Sequence, residues 1–380
     1  MEIDLQEDSI LAGCTRIMVM GIGGGGCNSI NRMIDGGVKG VEFVAINTDK
    51  QALARSKAPK KIVIGEKLTG GRGAGSVPDI GEKAAIESAD MIKNQLKDVN
   101  MLFIAAGMGG GTGTGASPII AKIAKDMNVL TISVVTKPFD FEKRSKIAEE
   151  GITKLIEYSD TILTISNQAL FNTDEDTPLI EMWRRVDDVL KNGVQGISDL
   201  IVSPSEINID FADVETVMKN KGQALMGVGY GKGDNGAEDA VNMAIGNPLM
   251  PDLIVSNATA MLINIAGSSK MSFKQFKNTM SYIDGIASKD ARVIMGQTFD
   301  DTLQDSIKVT LVATGFSSVK KDRLEDMYDD EISKKKEIQG NVYTHSDFFN
   351  LLKKTQSDSH INIDEPAILR KIKKQENNNQ

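Results

Sequence analysis

Cysteine, histidine and tryptophan are scarce in this chain. Its 380 residues include two cysteines, two histidines and one tryptophan. Two cysteines are too few for a disulfide framework in a protein of this length, so Cys14 and Cys27 are expected to be free thiols in a reducing compartment. The histidines, His345 and His360, both lie close to the C-terminal end, which disfavours chemistry that depends on a histidine within the folded region.

Long apolar runs and an excess of positive charge are also absent from the sequence. No apolar run approaches the ~18 residues of a membrane span, and the net charge is -8 with a pI near 5.1. Nucleic-acid binding depends on a field of Lys and Arg, so this acidic balance argues against that class. The acidic start Met1–Asp4 is unlike a signal peptide. We therefore expect a cytoplasmic protein with no nucleic-acid partner and no direct membrane insertion.

Short apolar runs alternate with amphipathic stretches in the first part of the chain. The runs predicted as strands are residues 17–20, 41–46, 62–64, 101–106, 129–135 and 161–165. The stretches predicted as helices are residues 28–34, 79–97, 118–127 and 147–157. This alternation is typical of a parallel sheet with helices on both faces. It predicts an α/β domain over residues 14–176, preceded by a flexible segment at 1–13.

The remaining chain predicts a long helix, a second domain and a tail. Thr177 and Pro178 favour a helix start, and apolar residues then recur at helical spacing as far as Pro204, which predicts a central helix over 177–203. A smaller α+β domain is predicted over 204–316, a flexible charged linker over 317–360 and a disordered, partner-binding tail over 361–380. The elements predicted in the second domain are strands at 253–266, 291–298 and 307–313, and helices near 213–226, 236–245 and 272–284.

A glycine-rich loop follows the first predicted strand. Gly21, Gly23 and Gly26 fit the pattern G-x-G-x-x-G, and a helix is predicted immediately after them. Glycines allow the backbone to approach a phosphate, and a helix N-terminus offers free N–H groups to it. With Asp49 as a candidate ribose-binding acid, this loop alone would favour a nicotinamide dehydrogenase. The motif by itself is weak.

A second glycine-rich loop, Gly107–Gly115, lies between another predicted strand and helix. Two such loops at the carboxyl ends of parallel strands suit a nucleoside di- or triphosphate that is held from both sides, whereas a dinucleotide needs one. Thr112 and Thr114 add hydroxyl groups that could bind phosphate or a magnesium-bound water. The sequence contains neither the P-loop pattern G-x-x-x-x-G-K-[ST] nor an N-K-x-D guanine box. These features predict a parallel-sheet nucleotide-binding domain that is not a P-loop enzyme.

The G-G-G-T-G-T-G core of the second loop resembles the signature of the tubulin/FtsZ family, in particular its bacterial cell-division members. Further segments resemble the family in the same order along the chain: 47–49, 136–139, 208–213 and 366–371. The resemblance covers about residues 12–316 together with the tail. It implies a GTPase that binds GTP or GDP with Mg²⁺, assembles head to tail into filaments, and forms the scaffold of the division ring.

The resemblance also implies which residues bind the nucleotide. The implied contacts are Gly24, Gly25, Gly26, Cys27, Asn28, Asn47, Gly73, Ala74, Gly75, Gly110, Gly111, Thr112, Gly113, Thr114, Glu142, Arg144, Asn167, Trp183 and Asp188. Asn167 and Asp188 match the guanine-reading pair. The sequence departs from the family where Cys27 replaces a glycine, where Trp183 replaces the usual Phe against the base, and between Glu142 and Arg144, where it is about two residues shorter.

Asp210 and Asp213 are the candidate catalytic residues. Taken alone, an Asp-x-x-Asp segment is also typical of an exposed turn and a helix N-cap. By resemblance, these carboxylates enter the nucleotide site of the next subunit and orient the attacking water. The resemblance further implies that Asp364–Lys371 binds membrane-tethering and regulatory division proteins. Two rival hypotheses are a nicotinamide dehydrogenase and a nucleotide-binding structural protein that does not hydrolyse GTP.

Overall fold

The computed structural model describes residues 15–168, 178–202, 209–233, 235–246 and 257–316. The predicted N-terminal segment, linker and partner-binding tail, as well as Thr177, lie outside these residues. So do the side chains of several residues early in the long helix, including that of Trp183. No helix among the described residues is both long enough and apolar enough to cross a bilayer.

The first part of the chain is an alternating α/β region, as predicted. Its strands are β1 (Ile17–Ile22), β2 (Glu42–Asn47), β3 (Lys60–Val63), β4 (Met101–Gly107), β5 (Leu130–Lys137) and β6 (Thr161–Ser166). Its helices are α1 (Gly23–Asp35), α2 (Lys50–Ala54), α3 (Glu66–Thr69), α4 (Pro78–Glu87), α5 (Ala89–Gln95), α6 (Thr112–Asp126) and α7 (Ser145–Ile156), with a 3-10 turn at Asp140–Glu142.

The second part begins with the long helix α8 (Leu179–Val202). It continues with α9 (Phe211–Met218), β7 (Gly222–Lys232), α10 (Gly236–Ile245), β8 (Ala260–Gly267), α11 (Phe273–Ile286), β9 (Arg292–Phe299), a 3-10 turn at Asp301–Leu303 and β10 (Ser306–Thr314). This is the predicted α+β region, reached through the predicted long central helix.

All ten strands in the described part of the chain belong to one sheet, in the order β3-β2-β1-β4-β5-β6-β7-β10-β8-β9. The strands from β3 to β7 are parallel, whereas β10 runs antiparallel to both β7 and β8. The α/β half and the α+β half therefore share a sheet, which is continuous where the first three residues of β6 pair with those of β7.

Both faces of the parallel half are covered by helices. Residues of β1 alternate between two apolar clusters: Ile17 and Val19 pack with α1 and α8, and Met18 and Met20 pack with α4 to α7. Because both faces are buried, these strands are continuous apolar runs. This explains why the apolar runs in the sequence located them well. The cluster beneath α8 extends into β8 and β10, so α8 packs against both halves of the molecule.

Several expectations about elements were wrong. The strand predicted over 253–266 begins at Ala260. The helix predicted near 213–226 ends at Met218, and a glycine-rich strand, β7, begins at Gly222. The single helix predicted over 79–97 is divided into α4 and α5. Two helices begin earlier than predicted, α1 at Gly23 and α6 at Thr112, because the ends of the glycine loops themselves form the first helical turns.

Candidate functional site

The two glycine loops meet at the carboxyl ends of two neighbouring strands. β1 and β4 are parallel partners, and each is followed directly by its loop. A Cβ atom built on Gly23 would lie 2.8 Å from the backbone nitrogen of Gly113, and one on Gly25 would lie 3.3 Å from the Cα of Gly107. Side chains at these positions would separate the loops, so glycine allows two stretches of backbone to contact each other.

Each loop leads into a helix whose first turn carries unused N–H groups. α1 begins at Gly23 and α6 begins at Thr112, and neither helix has a side chain that caps its N-terminus. The first N–H groups of a helix have no partner within the helix, and they lie at the positive end of its dipole. Two such ends side by side form a cradle suited to a polyphosphate.

Glycines in this cradle differ in what surrounds them. Cβ atoms built on Gly26 and Gly113 would meet backbone: the former would collide with the Ala105 carbonyl, and the latter would lie 2.6 Å from the carbonyl oxygen of Gly107. Among the described residues, Gly24 and Gly110 have no atom within 4 Å of the corresponding position, apart from their chain neighbours and the backbone of their own helix. Gly26 and Gly113 are therefore required for packing, whereas Gly24 and Gly110 border open space that a ligand could occupy.

Threonine hydroxyl groups fix the second loop. The hydroxyl oxygens of Thr48 and Thr112 are 2.7 Å apart and both residues are buried. The hydroxyl oxygen of Thr114 accepts a hydrogen bond of 2.9 Å from the backbone N–H of Gly109. Gly109 has a positive φ of 97°, which favours glycine at this turn. Sequence reasoning missed Thr48, although its place at the carboxyl end of β2 was a usable signal.

Cys27 is a packing residue in this structure. Its buried Sγ lies 3.7 Å from the carbonyl oxygen of Gly21 and 3.9 Å from that of Ile46, with the Asn47 amide nitrogen at 4.0 Å. Burial raises the pKa of the Cys27 thiol to about 11, so the group stays protonated and unreactive at neutral pH. Asn28, the next residue, is exposed at the start of α1.

A third loop, 73–75, borders the same cradle. The backbone N–H of Gly73 donates to the Thr48 carbonyl at 3.1 Å. A Cβ atom on Gly111 would lie 2.8 Å from the Cβ of Ala74, which shows that the third loop packs directly on the signature loop. Gly73 and Gly75 both have positive φ, 93° and 58° respectively.

Glu142 and Arg144 lie beyond the carboxyl end of β5. The half-buried Glu142 accepts a hydrogen bond of 3.0 Å from the backbone N–H of Phe139 through Oε1. Arg144 is exposed and precedes α7. A Cβ atom on Gly109 would lie 3.1 Å from the Cβ of Arg144, so Arg144 borders the signature loop despite the shortened segment that contains it.

Asn167 follows β6 at the same edge of the sheet. Only 5% of its surface is exposed, and its side-chain oxygen has no hydrogen-bond partner among the described residues. A buried polar atom without a partner costs free energy, and such an atom at a candidate site fits a group supplied by a ligand. Asp188, the other expected guanine contact, is half-buried on α8.

Sequence reasoning also missed Asp187. Its Oδ1 lies 3.4 Å from the hydroxyl oxygen of Ser29 on α1. Burial raises the pKa of the Asp187 carboxyl to about 6, and the neighbouring Asp188 adds to this, while Arg32 and the contact with Ser29 act against it. The pairing of α1 with α8 creates this environment, and no local sequence signal indicates that pairing.

Asp210 and Asp213 lie on the side of the sheet where the parallel strands begin, opposite the glycine loops. Asp210 is the N-cap of α9 and accepts a 2.8 Å hydrogen bond from the backbone N–H of Asp213. Asp213 forms an exposed ion pair of 3.5 Å with Arg292. At the far end of α9, the Met218 carbonyl accepts from the hydroxyl of Thr161, the first residue of β6. α9 therefore lies beside the amino ends of the parallel strands, away from the glycine loops within one chain.

The length of α8 indicates how far the glycine loops lie from the Asp210–Asp213 segment. Ser29 of α1 contacts Asp187 of α8, and Gly36, which follows α1, lies close to the Lys191 side chain. Both helices therefore run in the same direction, away from the cradle. The 24 residues of α8 span about 36 Å. The chain carries a phosphate cradle at one end of this helix and the Asp210–Asp213 segment beyond the other.

The described residues contain no group of three His, Cys, Asp or Glu side chains placed to hold a metal ion. Mg²⁺ differs from most metals in this respect, because it keeps several waters and binds chiefly through substrate phosphates with one or two protein ligands. A magnesium ion carried by a nucleotide would therefore not require such a group.

Comparisons with known proteins agree with this geometry. A family model described as "Tubulin/FtsZ family, GTPase domain" matches residues 16–175, and one described as "FtsZ family, C-terminal domain" matches residues 222–317. An empty FtsZ dimer from M. jannaschii is 42% identical, covers 81% of this chain and 90% of its own, and superposes with a TM-score of 0.76. A point mutant of the M. jannaschii FtsZ is 41% identical, with a TM-score of 0.77 and coverage of 81% and 93%.

A more distant structure shares the fold. CetZ2 from Haloferax volcanii, solved as a protofilament with bound GTPγS, is 18% identical with a TM-score of 0.67, and the match covers 85% of this chain and all of that one. The matched family models span most of the described residues, and the FtsZ structures share both halves of the molecule. The resemblance predicted from the signature loop is thereby confirmed, and the chain belongs to the tubulin/FtsZ family of GTPases.

Proposed function

We propose that this protein is a self-assembling GTPase whose active site is completed by a second copy of the same chain. The observation that carries the proposal is the separation of two sets of residues. The phosphate cradle lies at the carboxyl edge of the sheet, and the exposed Asp210 caps a helix at the amino edge. Within one chain these residues cannot act on the same phosphate, but head-to-tail contact between copies would bring them together.

The cradle supplies binding and electrostatic stabilisation in this proposal. The first turns of α1 and α6 would donate their N–H groups to the phosphates, and the loops at 73–75 and 107–111 would border them. Mg²⁺ bound to the nucleotide would neutralise charge on the phosphate oxygens during transfer. Phosphoryl transfer needs mainly positioning and charge stabilisation, so the protein has little covalent chemistry to perform.

The base is recognised by polar groups at the same edge. Asn167 has a buried side-chain oxygen without a partner among the described residues. Asp188 contributes a half-buried carboxylate from α8. A carboxylate can accept from the N1 and N2 hydrogens of guanine, which adenine lacks. These residues support GTP over ATP as the substrate, with Trp183 as the expected aromatic contact of the base.

Asp210 and Asp213 would orient the attacking water at the neighbouring copy's γ-phosphate. Hydrolysis would then depend on assembly, because an isolated copy holds GTP without the water-positioning carboxylates. Head-to-tail contacts of this kind are heterologous and generate open filaments. The dimeric FtsZ and the CetZ2 protofilament among the similar structures support self-association.

The cellular role follows from the family. Filaments of this GTPase would form the scaffold of the division ring in the cytoplasm, beneath the membrane. Asp364–Lys371, with its apolar pair beside basic residues, would bind membrane-tethering and regulatory division proteins through a short segment that folds on contact. We keep the domain boundaries predicted from the sequence. In this proposal the α+β region is the part that activates hydrolysis.

A nicotinamide dehydrogenase is disfavoured by Asp49. Its carboxylate accepts hydrogen bonds of 2.7 and 3.2 Å from the backbone N–H groups of Gln51 and Ala52, so it is the N-cap of α2 and not a free ribose ligand.

Phosphate release from GTP, measured against protein concentration alongside sedimentation, tests the proposal. We expect negligible turnover at low concentration, then a threshold above which both turnover and pelletable protein rise. Turnover that is proportional to concentration throughout would contradict a shared site. Pelletable filaments without any turnover would favour the nucleotide-binding structural protein.

A further inference from the structure

α8 contacts the first glycine loop through a buried serine. Ser29 is fully buried, and its hydroxyl oxygen lies 3.0 Å from the carbonyl oxygen of Gly25 and 3.4 Å from Oδ1 of Asp187. Gly25 belongs to the first turn of α1, which lines the phosphate cradle. Ser29 thus stands between an acid on α8 and a loop that has no side chains of its own to hold it in place.

The Ser29 hydroxyl carries one hydrogen, so it can donate to only one of these neighbours at a time. If the Asp187 carboxyl is protonated, it donates to Ser29, and Ser29 remains free to donate to the Gly25 carbonyl. If Asp187 is ionised, two acceptors compete for the same hydrogen. The protonation state of Asp187 therefore changes how much of the time the Ser29 hydroxyl donates to the Gly25 carbonyl.

We propose that Asp187 is a positioning residue for the phosphate cradle: through Ser29 it fixes the first turn of α1 when it is protonated and releases that turn when it is ionised. The proposal rests on the proposed function, because it concerns the same nucleotide site. It assigns Asp187 no contact with the nucleotide. Its neighbour Asp188 remains the expected guanine contact, so two adjacent acids on α8 have separate tasks.

The charged groups around Asp187 place its titration near neutral pH. Burial is the largest influence and raises the pKa to about 6, Arg32 on α1 lowers it, and Asp188 on α8 raises it. One turn further along α8, burial lowers the pKa of Lys191, whose side chain packs against Gly36 at the end of α1. Nucleotide phosphates at the N-terminus of α1 would add negative charge and favour the protonated carboxyl further.

Binding and protonation are then linked. If the nucleotide raises the pKa of Asp187 by about half a unit to one unit, the affinity for the nucleotide falls about three- to tenfold as the pH rises past the pKa values of the free and bound protein. The nucleotide's own phosphate also titrates in this range, so wild-type affinity alone is not diagnostic. The informative quantity is the ratio of the wild-type dissociation constant for GDP to that of a variant at each pH.

The experiment compares the wild-type protein with Asp187→Asn, Ser29→Ala and Asp126→Asn from about pH 5.5 to about pH 8, the range in which an acid with a raised pKa titrates. Asparagine keeps the shape and the hydrogen-bond donor of a protonated Asp187. Asp126→Asn is the matched control, since it removes one carboxylate from an exposed site at the far end of α6. Thermal melting of each variant checks folding.

We expect the ratio of wild type to Asp187→Asn to rise about three- to tenfold with pH, while the ratio to the control stays constant. Ser29→Ala should bind more weakly than Asp187→Asn, because it removes the hydroxyl that bonds to the Gly25 carbonyl. Its pH profile should be flatter than that of the wild type, because titration of Asp187 can no longer act through Ser29. Calorimetry in two buffers should show that the wild-type protein takes up more protons on GDP binding than Asp187→Asn does. A constant ratio for Asp187→Asn, or a wild-type pH profile in Ser29→Ala, would overturn the inference. A wild-type protein that binds no GDP at any pH would instead overturn the proposed function.

Discussion

Two neighbouring glycines in the first loop should respond in opposite ways to the same substitution. In Gly26→Ala, the added methyl group would collide with the Ala105 carbonyl and lie 2.8 Å from the Gly21 carbonyl carbon. Both neighbours are backbone atoms of β1 and β4, which cannot rotate away. Overpacking of this kind costs about 1–3 kcal/mol, and the gain from alanine's helix propensity, about 0.5–1 kcal/mol, offsets only part of it.

Gly24→Ala meets no atom within 4 Å, and Gly24 does not have a positive φ. Without nucleotide, this variant should be at least as stable as the wild type, by up to about 1 kcal/mol, because alanine is favoured over glycine inside a helix. Its methyl group, however, would occupy the open space above the first turn of α1. If that space holds phosphates, GDP affinity should fall at least about tenfold, which corresponds to about 1.4 kcal/mol.

Urea unfolding of the nucleotide-free proteins and GDP titration of each variant measure the two effects separately. Gly26→Ala should lose free energy of unfolding, and Gly24→Ala should lose GDP affinity alone. Wild-type affinity in Gly24→Ala would show that the phosphates lie elsewhere. Wild-type stability in Gly26→Ala would show that the close approach of α1 to β4 is not as described.

Three further predictions concern the base and the buried acid. Asp188→Ala should weaken GTP binding by about 1–3 kcal/mol and reduce the preference over ATP in competition titrations; an unchanged preference would remove Asp188 from the base site. Asn167→Leu should leave unfolding of the nucleotide-free protein nearly unchanged, because the side-chain oxygen has no partner among the described residues, yet weaken GDP binding, whereas equal losses in both would indicate a purely structural role. Since Asp187 holds its proton more tightly when folded, with a pKa near 6 against an ordinary 3.8, the free energy of unfolding should fall by up to about 2–3 kcal/mol between about pH 4 and pH 6, and urea unfolding should show that Asp187→Asn abolishes this fall.

Much of the α/β half could be predicted from the sequence, because its strands are buried on both faces and are continuous apolar runs. The starts of α1 and α6 could not be predicted from the sequence. Gly23 to Gly26 have poor helix propensity, and this turn is held by close packing against β1 and β4. β7 was missed for a related reason: Cβ atoms on its Gly229 and Gly231 would collide with the backbone of α10. The strand is rich in glycine because a helix lies very close to it, and the local sequence does not indicate this contact.

The candidate site was predictable where it follows strand ends. Residues after β1, β4 and β6 lie at one edge of the sheet because the carboxyl ends of parallel strands share that edge. Contacts between elements far apart in sequence were not predictable. Thr48 with Thr112, and Ser29 with Asp187, depend on which helices and strands pack together. The placement of Asp210 at the opposite edge likewise depends on the length and direction of α8.

A subunit-mixing experiment tests the shared active site most directly. Asp213→Ala should keep an intact cradle and lose only an exposed ion pair, worth about 1 kcal/mol or less. Gly24→Ala should keep its carboxylates but leave its cradle largely empty at a GTP concentration below its own dissociation constant. Each variant alone should hydrolyse little GTP. In an equimolar mixture, roughly a quarter of the head-to-tail junctions would join a sound cradle to a sound Asp210–Asp213 segment, and hydrolysis should recover to a similar fraction of the wild-type rate. If the two variants sediment together and the mixture stays as inactive as its components, the carboxylates are not supplied by the neighbouring copy and the proposed mechanism is wrong.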